Sequence, residues 1–150
     1  LELVKRGHQL VADDLVDVCR VSENRLIGTS PEKIRHLMEV RGIGIIDIRA
    51  MYGISAVSES KTIDMVLELV PWDGQRSYDR VGALEETIEI LGVPVFHQIM
   101  PVGPGRNLAI IIEVAARNLS LKRMGYNAAL RLNEQLEKQA FSRDEEAYSN

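Results

Sequence analysis

The chain contains no Gly-x-x-x-x-Gly-Lys-[Ser/Thr] run, so the common phosphate-cradling loop is absent from it. It has one cysteine, Cys19. A lone cysteine excludes an internal disulfide and fits a reducing cytosol, so a cytoplasmic location is expected. There is no Cys/His cluster with metal-ligand spacing, no Ser-His-Asp arrangement that sequence alone would defend, no internal repeat and no low-complexity segment. No apolar run reaches the length of a membrane span, which argues against a membrane partner. Positive charge is not in excess either. The 18 Lys and Arg face 22 Asp and Glu, and a net charge of −4 excludes the broad basic surface that nucleic acid requires. The start has neither a signal peptide nor an initiator methionine. Leu1 to Gly7 reads as the last turns of a helix closed by a C′ glycine. The expectation is therefore a piece of a longer protein whose upstream residues lie outside this sequence.

What is present is a 150-residue chain, 45% hydrophobic, enough for one domain with a real core. Its organising stretch is Met38-Glu39-Val40-Arg41-Gly42-Ile43-Gly44-Ile45-Ile46-Asp47. Three charged residues and two glycines stand among apolar ones. Two glycines are costly in a helix, and charges at Glu39 and Arg41 do not suit a plain buried strand. The expectation is a tight loop whose glycines let the backbone approach a ligand and whose charges point at it.

Along the chain, His8 to Ala12 is short and apolar and reads as a buried strand, ended by Asp13 and Asp14. Acidic residues at the carboxyl end of a strand in an α/β sheet sit where ligands bind. One carboxylate can take a proton from a hydroxyl while a neighbour helps hold Mg²⁺. A turn is the reading that the pair by itself favours, since Asp is a good turn former. His8 reads as a strand-entry residue rather than a ligand. Val16 to Val21 and Leu26-Ile27 form paired strands around a Ser22-Glu23-Asn24 turn, and Ser30-Pro31 opens a short helix.

Past the organising stretch, Asp47 to Tyr52 forms a short helix closed by Gly53. Ile63 to Val70 alternates as a strand with one buried face, stopped at Pro71-Trp72-Asp73-Gly74. A polar loop follows, Ser77-Tyr78-Asp79-Arg80-Val81-Gly82. Glu86 to Ile90 and Val95 to Met100 read as strands joined by a Leu91 to Pro94 hairpin.

The second special loop is Pro101-Val102-Gly103-Pro104-Gly105-Arg106-Asn107. It opens a helix from about Leu108 to Met124, apolar on most sides early on and so expected in the middle of a core. The positive end of that helix beside Arg106 suits an anion, and a rigid connection with a solvent-facing arginine explains the same spacing. Gly125 ends the helix, Asn127 caps another running to about Gln139, and residues 141–150 read as a polar tail. Along the chain, strands are thus followed by two C-terminal helices.

The Met38 to Asp47 stretch resembles the signature of the HPr kinase/phosphorylase family, Leu-Glu-Ile-Arg-Gly-Ile-Gly-Ile-Ile-Asp. Arg6-Gly7-His8-Gln9-Leu10-Val11-Ala12-Asp13-Asp14 resembles the family segment that follows its phosphate loop. The resemblance covers nearly the whole chain. It implies an α/β fold with a phosphate-loop nucleotide-binding core resembling phosphoenolpyruvate carboxykinase, with a mixed sheet. Residues 1–140 would be the carboxyl-terminal part of the catalytic domain, with the phosphate loop and the amino-terminal domain outside the sequence.

By the same resemblance, Asp14 is the proton acceptor and donor, with Asp13 sharing metal or phosphate duties. Glu39 is the Mg²⁺ ligand and Arg80 an active-site arginine. Met38 to Asp47 serves both activities, and Pro101 to Arg106 serves dephosphorylation. This last loop departs from the family at Gly103, where lysine is common. The implied reaction is phosphorylation of a serine of HPr by ATP or pyrophosphate, reversed by phosphorolysis, in control of carbon catabolite repression. HPr is the implied partner and a homohexamer the implied assembly. Two other readings stay open: a non-catalytic HPr-binding or oligomerisation fragment, and another Mg²⁺-dependent phosphotransferase of the same fold.

Overall fold

The computed structural model describes residues 1–74 and 85–148, with side chains described up to residue 139. The polar loop around Arg80 lies outside the described residues. The fold is α/β with a mixed sheet and C-terminal helices, and the described residues form three separate sheets. Strands β1 (Asp17–Ser22) and β2 (Arg25–Thr29) form an antiparallel hairpin about the Glu23-Asn24 turn, and β5 (Ser60–Thr62) adds to the far side of β2. Strands β3 (Leu37–Val40) and β4 (Gly44–Asp47) make a two-stranded sheet of their own. The third sheet has the order β6-β8-β7, with β6 (Met65–Pro71), β7 (Glu86–Ile90) and β8 (Val93–Val102). It is mixed, because β8 runs parallel to β6 and antiparallel to β7.

Local chemistry explains most of these elements. The β7–β8 hairpin turns on Leu91 and Gly92, both at positive φ (50° and 74°), the twist-matched form of a two-residue turn. The short helix α2 (Ile48–Tyr52) starts where the Asp47 carboxylate accepts the Ala50 amide at 2.9 Å and ends at Gly53, φ 88°. Helix α3 (Leu108–Arg123) is capped by Asn107, whose Oδ1 accepts the Ile110 amide, and α4 (Ala128–Tyr148) by Asn127.

Several expectations are corrected. The Met38 to Asp47 stretch is a β-hairpin, not an irregular loop. Its alternation explains its composition. Met38, Val40 and Ile46 face a core cluster, while Glu39, Arg41, Ile43 and Ile45 are exposed. Gly42 (φ 82°) sits in the turn and Gly44 (φ 105°) opens β4.

The His8 to Ala12 strand shrinks to one parallel bridge, Leu10 to Val57, because the backbone it meets is a turn rather than a strand. Ser30-Pro31 opens only a 3-10 turn, Glu32–Ile34. Pro31 is extended (ψ 137°), and the Ser30 hydroxyl donates to the Pro31 carbonyl instead of capping. The β6 strand is half-buried to exposed rather than strongly buried on one face. Helix α3 buries only Ala109 and Leu119 fully among its described apolar residues, and Ile110, Val114 and Leu121 are exposed. The elements present cover one flank of it. Helix α4 runs on to Tyr148, beyond the expected end near Gln139.

Two apolar clusters hold the chain. Leu26, Val93 and Val95, with Val18, Ile63, Val66 and Ile90 around them, join the β2 sheet to the mixed sheet. Val4, Met38, Ile48, Ala56 and Val57, flanked by Leu10, Val40 and Ile46, join α1 (Glu2–Lys5), the signature hairpin and α2. Leu26 is 1% exposed. Truncation to alanine there should cost about 2–5 kcal/mol. Ile43, at the exposed hairpin tip, should tolerate Ile43→Ala within about 0.5 kcal/mol. Chemical denaturation of the two variants checks the contrast.

Candidate functional site

The hairpin and the acidic pair meet. The Asp13 carboxylate accepts a hydrogen bond from the Glu39 backbone amide at 2.9 Å. That contact spans 26 residues of sequence. It holds the edge of β3 and leaves the Glu39 side chain exposed on the outer face of the hairpin, with Asp14 exposed beside Asp13. The acidic segment is itself pinned. Leu10 donates to the Ala56 carbonyl and accepts from Ser58, both at 2.9 Å, and Gln9 Nε2 donates to the carbonyls of Ser55 and Val57. Among the described residues, no three His, Cys, Asp or Glu side chains are placed to cage a metal ion. An open depression of about 300 Å³ between α1, the Gly7-His8 bend and α2 is lined by Lys5, His8, Tyr52 and Ser55, and not by Asp13, Asp14 or Glu39.

The remaining residues of the signature divide by face. Met38 is buried, Val40 and Ile46 are half-buried, and Arg41, Gly42, Ile43, Gly44, Ile45 and Asp47 are exposed. The Pro101 to Arg106 loop leaves the carboxyl end of β8, the central strand of the mixed sheet. Pro101 and Val102 finish β8, and the Val102 carbonyl accepts the Trp72 amide at 2.9 Å. Gly103, Pro104 and Gly105 (φ 82°) turn the chain. Arg106 folds back and donates from an Nη to the Pro101 carbonyl at 2.9 Å, so it closes the loop on itself. Asn107 then both caps α3 and donates to Glu2 Oε1 at 3.0 Å, which links the loop to the start of the chain. Arg80 is outside the described residues.

Sequence reasoning missed a charged hub. Glu113 is the one acidic residue in the first turns of α3, Leu-Ala-Ile-Ile-Ile-Glu-Val-Ala-Ala, and its side chain is 12% exposed. Arg6 donates to it through Nε at 3.2 Å and through an Nη in a shorter contact. His8 Nε2 lies 2.9 Å from its other oxygen, and Arg117 adds an ion pair at 3.6 Å. Hydrogen bonds from Arg6 and then His8 hold the Glu113 carboxyl down at about 2. An ionised carboxylate only accepts, so the His8 nitrogen facing it carries the proton. The one available signal was a lone acid interrupting an apolar helical run. Its partners stand 105 and 107 residues away.

Comparison with known proteins places this geometry. A family model described as HPr Serine kinase C-terminal domain matches residues 1–136. Proteins named HPr kinase/phosphorylase from Caldicellulosiruptor bescii and from Thermoanaerobacter sp. (strain X514) are each 55% identical over 139 residues. Those matches cover 93% of this chain and 45% and 46% of the relatives, so the chain spans about half their length. A solved structure of the Hpr(Ser) kinase/phosphatase from Coxiella burnetii superposes with a TM-score of 0.76 at 36% identity. That superposition covers 89% of this chain and 81% of the other.

The Glu113 hub carries a pH signature. Its folded-state pKa of about 2 lies below the ordinary 4.5, so its contribution is fully present above 4.5 and lost as pH falls toward 2. Unfolding midpoints measured from pH 5 down to pH 2 should fall less steeply in Glu113→Gln than in the parent. Parallel curves would contradict the assignment.

Proposed function

The chain belongs to the HPr serine kinase C-terminal domain family, and on that premise we propose that it is the carboxyl-terminal part of the catalytic unit of an HPr serine kinase/phosphorylase. The observation that carries this reading is the Asp13 hydrogen bond to the Glu39 amide, which sets the acidic pair against the signature hairpin. Kinship with proteins named for both directions of the reaction supports it. The proposed fold is a phosphate-loop core resembling phosphoenolpyruvate carboxykinase, with the phosphate loop contributed by residues outside 1–150.

In the forward direction, the serine hydroxyl of HPr attacks the terminal phosphoryl group of ATP or pyrophosphate. Asp14 takes the hydroxyl proton as the bond to the leaving phosphate breaks. In reverse, inorganic phosphate attacks phosphoserine, pyrophosphate forms, and Asp14 returns its proton to the serine oxygen. Asp13, already committed to the Glu39 amide, holds its neighbour in place. Arg80 offsets charge on the transferring group.

A Mg²⁺ site needs only one or two carboxylates, the rest of its shell being phosphate and water, so an exposed Glu39 without a protein cage fits. Mg²⁺, when bound there, would neutralise charge on the phosphates. Met38 to Asp47 serves both directions, and the Pro101 to Arg106 loop serves the reverse one. HPr as partner, a homohexamer, a cytoplasmic location and a role in carbon catabolite repression belong to the same proposal. No described helix is long and apolar enough to cross a membrane.

The test is incubation of the full-length protein with ATP, Mg²⁺ and HPr. Phosphoserine on HPr, removed again by inorganic phosphate with release of pyrophosphate, is the expected result. An unmodified HPr would overturn the reading. Glu39→Ala should cost both directions at least about 100-fold. Substitution of Val102 or Arg106 should slow phosphorolysis more than phosphorylation, and equal losses would remove the loop from its proposed role.

A further inference from the structure

The segment that carries the acidic pair is held by three elements in turn. Helix α3 holds its beginning, through Glu113 on Arg6 and His8. The turn Ile54–Ala56 and the residues just after it hold its middle, through Gln9 and Leu10. Strand β3 holds its end, through the Glu39 amide on Asp13. Only the first of these grips is ionic. It is also the one placed at the turn that closes α1, where Gly7 sits at φ 94°. Backbone hydrogen bonds close the bend itself, from the Gly7 amide to the Val4 carbonyl and from the His8 amide to the Leu3 carbonyl, both at 3.0 Å, so what Glu113 fixes is where that closed turn sits against α3. With Glu113 it has three donors converging on two oxygens of a largely enclosed side chain.

We propose that Glu113 is a positioning residue for the phosphoryl-transfer site: by locking Arg6 and His8 against α3 it fixes where Asp13 and Asp14 meet Glu39. The proposal deepens the enzymatic reading above and rests on it for the role of Asp14. The coupling itself is mechanical and does not depend on that role. It also links the Pro101 to Arg106 loop to the acidic pair. Six residues before Glu113, Asn107 ends the Pro101 to Arg106 loop, caps α3 and bonds to Glu2. A shift of α3 is therefore felt both at that loop and at the acidic pair.

The test compares Glu113→Ala and Glu113→Gln with the parent in the full-length protein. Glutamine can keep one acceptor for Arg6 and offer its amide to His8, so it separates lost contacts from lost charge. Two quantities are read: kcat and KM for HPr phosphorylation, and exchange of the Glu39 amide against that of Val95 in β8.

In Glu113→Ala, kcat should fall roughly 10–100-fold through misplacement of the acidic pair, with KM for the nucleotide little changed. Exchange at Glu39 should rise about tenfold while Val95 keeps its rate. Glu113→Gln should recover most of both. An unchanged Glu39 amide in Glu113→Ala would overturn the proposal. Equal acceleration at Glu39 and Val95 would overturn it too, since that is general loosening. A parent protein that leaves HPr unmodified, yet shows the Glu39 response on Glu113→Ala, would remove the enzymatic reading and uphold the coupling.

Discussion

One hydrogen bond, from the Glu39 amide to the Asp13 carboxylate, ties the acidic segment to the edge of the signature hairpin. A two-stranded hairpin is marginal in water on its own. The β3–β4 pair is a separate sheet, so it must be fastened from outside. Its inner face is fastened by apolar contact of Met38, Val40 and Ile46 with the cluster around fully buried Ile48. Its edge is fastened by Asp13. The same bond covers the edge and sets Asp13, with Asp14 next in sequence, against the strand that carries Glu39, and the side chains of Asp14 and Glu39 are exposed. The contact that fastens the hairpin is thus also the one that joins it to the acidic segment.

Helix α3 makes that contact depend on the rest of the chain. Its first half is tied to the start of the chain, through Asn107 on Glu2 and Glu113 on Arg6 and His8. Its last turns are tied to the mixed sheet. There Arg123 pairs with Asp64, and Lys122 reaches Glu85 and lies 5.7 Å above the Phe96 ring. The helix behaves as a beam between the two core clusters. Polar ties do much of the fastening, which explains how it can be apolar in sequence and yet leave Ile110, Val114 and Leu121 exposed.

What the sequence made legible was local. Asn127 as a cap, Gly53 and Gly125 as stops, and a hairpin turn within Leu91 to Pro94 all act within a few residues, and the structure has them there, while the caps at Asp47 and Asn107 went unread. The acidic pair and Glu39 were singled out by resemblance, and only coordinates could show their contact. Charges at Glu39 and Arg41 point to a loop when each is weighed alone, and the structure has a hairpin. Period-two alternation, with apolar neighbours inward and charges outward, was the better template. The parallel pairing of β6 with β8 was hidden, since those strands are not neighbours in sequence. The Glu113 hub was hidden for the same reason.

The central claim is that the acidic pair and Glu39 face one metal–phosphate site. Mn²⁺ substituted for Mg²⁺ in the full-length protein with nucleotide tests it directly, through paramagnetic broadening of nearby backbone resonances. The account predicts that Asp13, Asp14 and Glu39 broaden together, with Val95 in the core spared. Broadening at Glu39 with Asp13 and Asp14 untouched, or broadening of none of the three, would contradict it.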